Sequence, residues 1–325
     1  MASDTEPRTS GTDRLSVRPL VQEDGRAVGL LMQEVCREFG AEPLLSVEAT
    51  VQLFNTPWLE RGAGLMLEDS TTIAGYGWAR DSAWNGSRYV QVGLFLRNRY
   101  RAPASFQILT TPLLELARDI SQRYHTPAAL TYYRSVDTAH VAIVRAIGFS
   151  DMPVAMVGFR HDLKHIPEPR PPAGLSIRPA RLPEEKSLLL SLNHQAFDNA
   201  AIQGEPLHEQ YFDLLPSLAG FEPEQILIAE LDRQPVGHAV LHFQPDKPHC
   251  GPELCEVAVL PKHRGRGIGP TLVHRLLVWC RSRGVGTVFT GSFSTNPAAA
   301  MYWRLGFRPD PIRTYFFFTK NLTDN

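Results

Sequence analysis

His263-Arg264-Gly265-Arg266-Gly267-Ile268-Gly269-Pro270-Thr271-Leu272, HRGRGIGPTL, sets three glycines and two arginines in six consecutive residues. The sequence before it, ELCEVAVL (253–260), reads as a buried strand. The sequence after it, PTLVHRLLVWCRSR (270–283), reads as an amphipathic helix with Leu272, Val273, Leu276, Leu277 and Cys280 on one face. Pro270 suits a first helical turn, where a missing N–H costs nothing. Arg281 and Arg283 fall in the last turn, and Gly284 is placed to stop the helix. The glycines therefore occupy a strand-to-helix turn. Unpaired N–H groups and the positive end of the helix dipole make such a turn an anion site, and glycine lets the backbone approach a phosphate with no Cβ in the way. Arg264 and Arg266 add positive charge. The same pattern also fits a bare left-handed turn with no ligand. The stretch lacks the Lys-Ser/Thr of a P-loop, and no acidic residue ends a second parallel strand as a dinucleotide fold requires.

Working outward, the chain repeats itself. LSVRPL (15–20) returns as LSIRPA (175–180), and RAIGF (145–149) returns as RLGF (304–307). The segments between these markers agree: a helical pattern follows each LSxRP, then three strand runs, a helix, a strand, a short helix and a closing strand. Each half reads β-α-α-β-β-β-α-β-α-β. The expected fold class is α/β (α+β): two tandem units, each a mostly antiparallel mixed sheet flanked by helices. Residues 1–13 read as a disordered lead without the apolar core of a secretory signal. Residues 14–162 form the first unit, the proline-rich 163–174 a linker and 175–325 the second unit.

Arg264-Gly265-Arg266-Gly267-Ile268-Gly269 resembles the R/Q-x-x-G-x-G/A signature of the GNAT acetyltransferase superfamily. Asn296-Pro297-Ala298-Ala299-Ala300-Met301-Tyr302-Trp303-Arg304-Leu305-Gly306-Phe307 is similar to that family's N-x-x-A-x-x-x-Y-x-x-x-G-F run. The resemblance covers 175–320 in detail and 15–160 in outline. It implies acetyl-CoA as co-substrate and no metal. The diphosphate would lie on the amides of Arg264, Gly265, Arg266, Gly267, Ile268 and Gly269. The pantetheine arm would enter between splayed central strands, 253–260 and 286–293, and bond the main chain at Val257 and Val259. The Val259 N–H would polarise the thioester carbonyl. Tyr302 matches the family's general acid. Asn296 would cap the short helix or touch the cofactor. Glu253 and Glu256 are both placed to be the base, and their separation puts them on opposite strand faces unless a bulge intervenes. His238 and His242 are weaker candidates for that role, read as structural histidines.

The first half departs from the pattern. Arg99-Tyr100-Arg101-Ala102-Pro103-Ala104 aligns over the glycine loop with every glycine gone, Val144 stands for Tyr302, and Thr138 for Asn296. Arg97, Arg99 and Arg101 form a basic loop that reads as solvated. The first unit is expected to be structural. The segment 193–215, with Phe197, Asp198, Asn199, Tyr211 and Phe212, suits either a small polar acceptor or ordinary helix packing.

A formal net charge of −1 gives no electrostatic reason to expect nucleic acid or an anionic membrane as partner. No apolar run approaches the roughly 20 residues of a membrane span. Cys36, Cys250, Cys255 and Cys280 fit no metal template and read as buried thiols of a cytoplasmic protein. The expected function is transfer of an acetyl group from acetyl-CoA to the amine of a small molecule, in the second unit of a monomer or homodimer. The alternative is a non-catalytic acyl-CoA-binding or regulatory protein of the same fold.

Overall fold

The computed structural model describes residues 15–41, 43, 46–55, 62–70, 72–84, 87–197, 212, 216, 220–243 and 251–323. The expected lead, Cys250, Asp198, Asn199 and Tyr211 lie outside the described residues. The chain forms two compact units, one of residues 1–153 and 316–325, the other of 154–315.

The first unit runs β1 (Leu15–Pro19), α1 (Gly25–Arg37), α2 (Val47–Phe54), β2 (Gly62–Asp69), β3 (Thr72–Trp84), β4 (Ser87–Leu96), α3 (Pro103–Tyr124), β5 (Ala128–Arg134) and α4 (Thr138–Ala146). β1 to β4 pair antiparallel in chain order, and β4 pairs parallel with β5. One face of this sheet packs on α3 through Leu94, Leu96, Leu109 and Leu113. The other packs on α1 and α2 through Val28, Leu31, Phe54, Met66 and Tyr76.

The second unit repeats the plan. It comprises β7 (Leu175–Pro179), α5 (Lys186–Phe197), β8 (Ile226–Leu231), β9 (Gln234–His242), β10 (Glu253–Val259), α6 (Ile268–Ser282), β11 (Val288–Phe293) and α7 (Ala298–Arg304). β7 to β10 pair antiparallel, and β10 pairs parallel with β11. The apolar stripe of α6 foreseen from the sequence is buried, and Gly284 ends that helix at a φ of 72°. Cys36 and Cys280 are buried as expected, but Cys255 is exposed.

The unit boundaries fall elsewhere than at the proline-rich segment. β6 (Ser150–His161), the closing strand of the first half in chain order, pairs antiparallel with β11 in the second unit. The short β12 (Arg308–Pro309) pairs with β6. β13 (Tyr315–Asn321), the closing strand of the second half, lies beside β5 in the first unit. There Thr319 Oγ1 donates to the Ala129 carbonyl at 3.0 Å, and Phe318 and Leu322 enter the core. Period-two alternation says which residues form a strand but not whose sheet receives it.

The repeated LSxRP motif has a physical role. Arg18 donates to Asp24 and Glu68, at 2.7 and 3.0 Å, and Arg178 donates to Glu185 and Glu230, at 2.7 and 2.9 Å. In each unit one guanidinium ties the first strand to the second and to the start of the following helix. Arg178 holds the Glu185 carboxyl down at about 2, below its ordinary 4.5. Removing Arg178 leaves the Glu185 carboxylate with only the Arg181 amide and a 3.3 Å contact to the Arg181 guanidinium, and should cost about 1–3 kcal/mol at pH 7. Because the folded carboxyl is the stronger acid, that stabilisation is present above about pH 4.5 and fades as pH falls towards 2. The unfolding midpoints of wild type and Arg178→Ala should therefore differ at pH 7 and converge at low pH.

Among the described residues no helix is long and apolar enough to cross a membrane. No cluster of His, Cys, Asp and Glu among them could hold a metal ion.

Candidate active site

β10 hands over to α6 through a short turn, Pro261–His263, and the glycine loop. Gly265 and Gly267 have φ of 74° and 87°, the left-handed region that a Cβ disfavours. A Cβ at Gly265 would meet open space, whereas one at Gly267 would sit 2.4 Å from the Arg170 carbonyl oxygen. Gly269 lets α6 rest on the sheet, close to Met301, Val259 and Val257. The five N–H groups from Gly265 to Gly269 make no hydrogen bond among the described residues. They form a cradle of donors at the positive end of a 15-residue helix.

Arg264 does not join that cradle. Its N–H donates to the Pro261 carbonyl at 3.2 Å. Its guanidinium folds back, with Nε donating to the Val259 carbonyl at 3.0 Å and Nη2 to the Ala196 carbonyl at 2.5 Å. The expectation that Arg264 supplies charge to an anion is thus corrected. It braces the end of β10 against the end of α5, because two carbonyls in reach satisfy a partly buried guanidinium. Arg266 remains exposed, with Nη1 3.3 Å from His263 Nδ1.

The parallel strands β10 and β11 pair at only two positions, Glu253 with Phe289 and Leu254 with Thr290. Beyond these they part, as the resemblance implied. Leu260 N donates to the Val236 carbonyl of β9, so by strand alternation the N–H groups of Val257 and Val259 face the opening.

At the apex of the opening, Thr290 Oγ1 donates to the Leu254 carbonyl at 2.9 Å, and the Tyr302 hydroxyl shares a hydrogen bond with the Thr290 side chain. Tyr302 is 5% exposed, packed against the rings of Phe159 and Phe307. Burial pushes its hydroxyl up to about 12, so it holds its proton at neutral pH. Asn296 Oδ1 accepts from Ala298 N at 2.9 Å, which starts α7. That is the capping role.

The two glutamates part company. A bulge separates Leu254 from Glu256 in the pairing with β9, so Glu253, opposite His242, and Glu256, opposite Val240, share a face of the sheet and differ in burial. Glu253 is half exposed, 4.0 Å from Arg313. Glu256 is buried on the α5 face of the sheet. Its Oε1 takes a hydrogen bond from Asn193 Nδ2 on α5 and lies 2.5 Å from His238 Nε2 on β9. Asn193 and His238 are almost wholly buried. Oε2 has no hydrogen-bond partner among the described residues. Asn193 Oδ1 and His238 Nδ1 are likewise buried without a partner among them. His238 is therefore more than a satisfied structural histidine: it helps fix the carboxylate. His242 sits at the edge, opposite Glu253. Asn193 was not foreseen, since one polar residue in an apolar helix announces no partner 63 positions away.

Residues 190–307 match the profile of the Acetyltransferase (GNAT) family, and the matched stretch holds the glycine turn, the opened strand pair and Tyr302. The chain as a whole is similar in fold to solved structures that it covers almost end to end. A GCN5-related N-acetyltransferase from Sphaerobacter thermophilus superposes with a TM-score of 0.73 at 19% identity, covering 96% of this chain and 97% of that one. A tandem GNAT protein from the clavulanic acid biosynthesis pathway superposes with a TM-score of 0.65 at 16% identity, covering 96% and 99%. Among curated proteins, the mycothiol acetyltransferase of Rhodococcus erythropolis is 34% identical over 154 residues, 45% of this chain and 50% of that protein. The chain spans about half the length of the curated relatives it matches.

Proposed function

We propose that the second unit transfers an acetyl group from acetyl-CoA to the amine of a small-molecule acceptor. The observation that carries this reading is the opening between β10 and β11, with a donor cradle at one end and the Tyr302 hydroxyl at the apex. Bound acetyl-CoA would supply an activated acetyl thioester. The N–H groups of Gly265, Arg266, Gly267, Ile268 and Gly269 would hold its diphosphate. Val257 and Val259 would bond the amides of its arm. The Val259 N–H would donate to the acyl oxygen and stabilise the charge that builds there.

Two proton transfers remain, and separate groups fit them. An incoming ammonium must lose a proton before its nitrogen can attack. Glu256 Oε2 suits that task, because Asn193 and His238 hold the other oxygen and this one is left to accept. The departing sulfur needs a proton, which the neutral Tyr302 hydroxyl can give. Relatives named for mycothiol and for L-2,4-diaminobutyric acid support an acceptor in the small-molecule class.

Thiol release from acetyl-CoA, followed across a panel of small amines, tests the reading. Amine-dependent release is the expected result. Coenzyme A binding with no turnover by any amine would oppose it. Tyr302→Phe should lower kcat about 100-fold, the scale of a general acid, while the KM for acetyl-CoA stays within about threefold. An unchanged kcat would remove Tyr302 from the chemistry.

A further inference from the structure

The first unit contains the same opening, and its own side chains fill it. β4 and β5 pair at only two positions, Val90 with Ala129 and Gln91 with Leu130, and then part. Arg97 N donates to the Ala74 carbonyl just as Leu260 N donates to Val236, so Leu94 and Leu96 stand where Val257 and Val259 stand. Arg101 confirms the register: its Nε donates to the Leu96 carbonyl at 2.9 Å, as Arg264 Nε does to Val259. This displaces by two residues the alignment of Arg99–Ala104 over the glycine loop expected from sequence.

We propose that Tyr133 and His140, with Asp137 behind them, form an internal plug that occupies the hydrogen-bonding positions of a pantetheine arm in the first unit. The Tyr133 hydroxyl accepts from Leu94 N at 3.0 Å and donates to the Leu94 carbonyl at 2.9 Å. His140 Nε2 accepts from Leu96 N at 2.9 Å. That bond fixes the tautomer, so Nδ1 carries the proton and donates to the Asp137 carboxylate 2.9 Å away. The two rings stack in parallel, 5.5 Å between centroids, and all three side chains are buried.

The second unit has small residues at these places. Counting from the matched threonines Thr131 and Thr290 puts Ser292 at the position of Tyr133. Counting back from Gly148 and Gly306 puts Ala298 at the position of His140. The cradle is closed as well. In the corrected register Ala102, Ala104 and Phe106 replace Gly265, Gly267 and Gly269. Pro103 has no N–H, and the N–H groups of Ser105 and Phe106 both donate to the Ala102 carbonyl. On the reading proposed above, the second unit alone among the described residues keeps an open donor cradle, and the first unit ties up its own strand opening with its own side chains.

Hydrogen exchange on the ligand-free full chain tests the plug whatever the second unit binds. The Leu94 and Leu96 amides should exchange at least about 100-fold more slowly than those of Val257 and Val259. Equal rates would overturn the proposal. His140→Ala should speed exchange at Leu96, and His140→Gln, which keeps an acceptor, should restore part of the protection. Exchange at Leu96 indifferent to His140→Ala in a folded chain would also overturn it. Titration with coenzyme A should give one equivalent per chain, and none in Gly267→Asp. Two equivalents, or one that survives Gly267→Asp, would place a donor in the first unit and end the proposal.

Discussion

Gly267→Asp should weaken coenzyme A binding by more than about 100-fold. The new side chain would have to adopt a φ of 87°, at a cost of about 1–2 kcal/mol for an ordinary residue. Its Cβ would press on the Arg170 carbonyl, 2.4 Å away. Its carboxylate would stand against the diphosphate, where like charges about 5 Å apart repel by about 3 kcal/mol at an effective dielectric near 20. These terms together exceed the 2.7 kcal/mol that separates a hundredfold in affinity. Gly265→Ala is the informative control. Its Cβ meets nothing within 4 Å, so only the backbone conformation opposes it, and affinity should stay within about tenfold. Calorimetry on both variants, with thermal unfolding to confirm that they fold, separates a damaged cradle from a damaged domain. Full coenzyme A affinity in Gly267→Asp would show that the diphosphate lies elsewhere.

The second large effect concerns the choice between glutamates. Glu256→Gln should lower kcat by about 10²–10⁴-fold, the range for a general base, with coenzyme A affinity within about threefold of wild type. Glu253→Gln should change neither by more than about threefold, because its carboxylate points to solvent and Arg313. Steady-state rates with any amine that turns over decide the matter. The reverse ranking would move the base to the exposed end of β10.

These two predictions differ in how far the sequence alone could reach. The glycine loop is local. Its glycines, the preceding strand and the following helix lie within one window, and the physics that makes a donor cradle acts over the same few residues. The opened strands and Tyr302 were reached through the resemblance; in the structure the strands part after Leu254, and Tyr302 is buried beside Thr290. The carboxylate was not legible. Glu253 and Glu256 are alike in composition and neighbourhood, the bulge between Leu254 and Glu256 puts both on one face, and what separates them is burial: Glu256 lies under α5 and Glu253 at the exposed end of β10. Asn193 and His238 reach Glu256 from two other elements, and no spacing rule links three such distant positions. Arg264 shows the opposite failure. A cation beside a phosphate loop invites an electrostatic role, yet two nearby carbonyls claim it first. The tandem units were legible from LSVRP and LSIRP, but the partners of the closing strands were not, because a strand run carries no address.

The exchanged closing strands also set an order of events during synthesis. The first unit needs Phe318 and Leu322, which leave the ribosome only after the whole of residues 154–315. It cannot complete its sheet while the second half is still being translated, so the usual economy of finishing an amino-terminal domain early is denied to this chain. A nascent polypeptide halted at the proline-rich segment would carry an unfinished β5 edge, and holding that edge soluble falls to chaperones until β13 arrives.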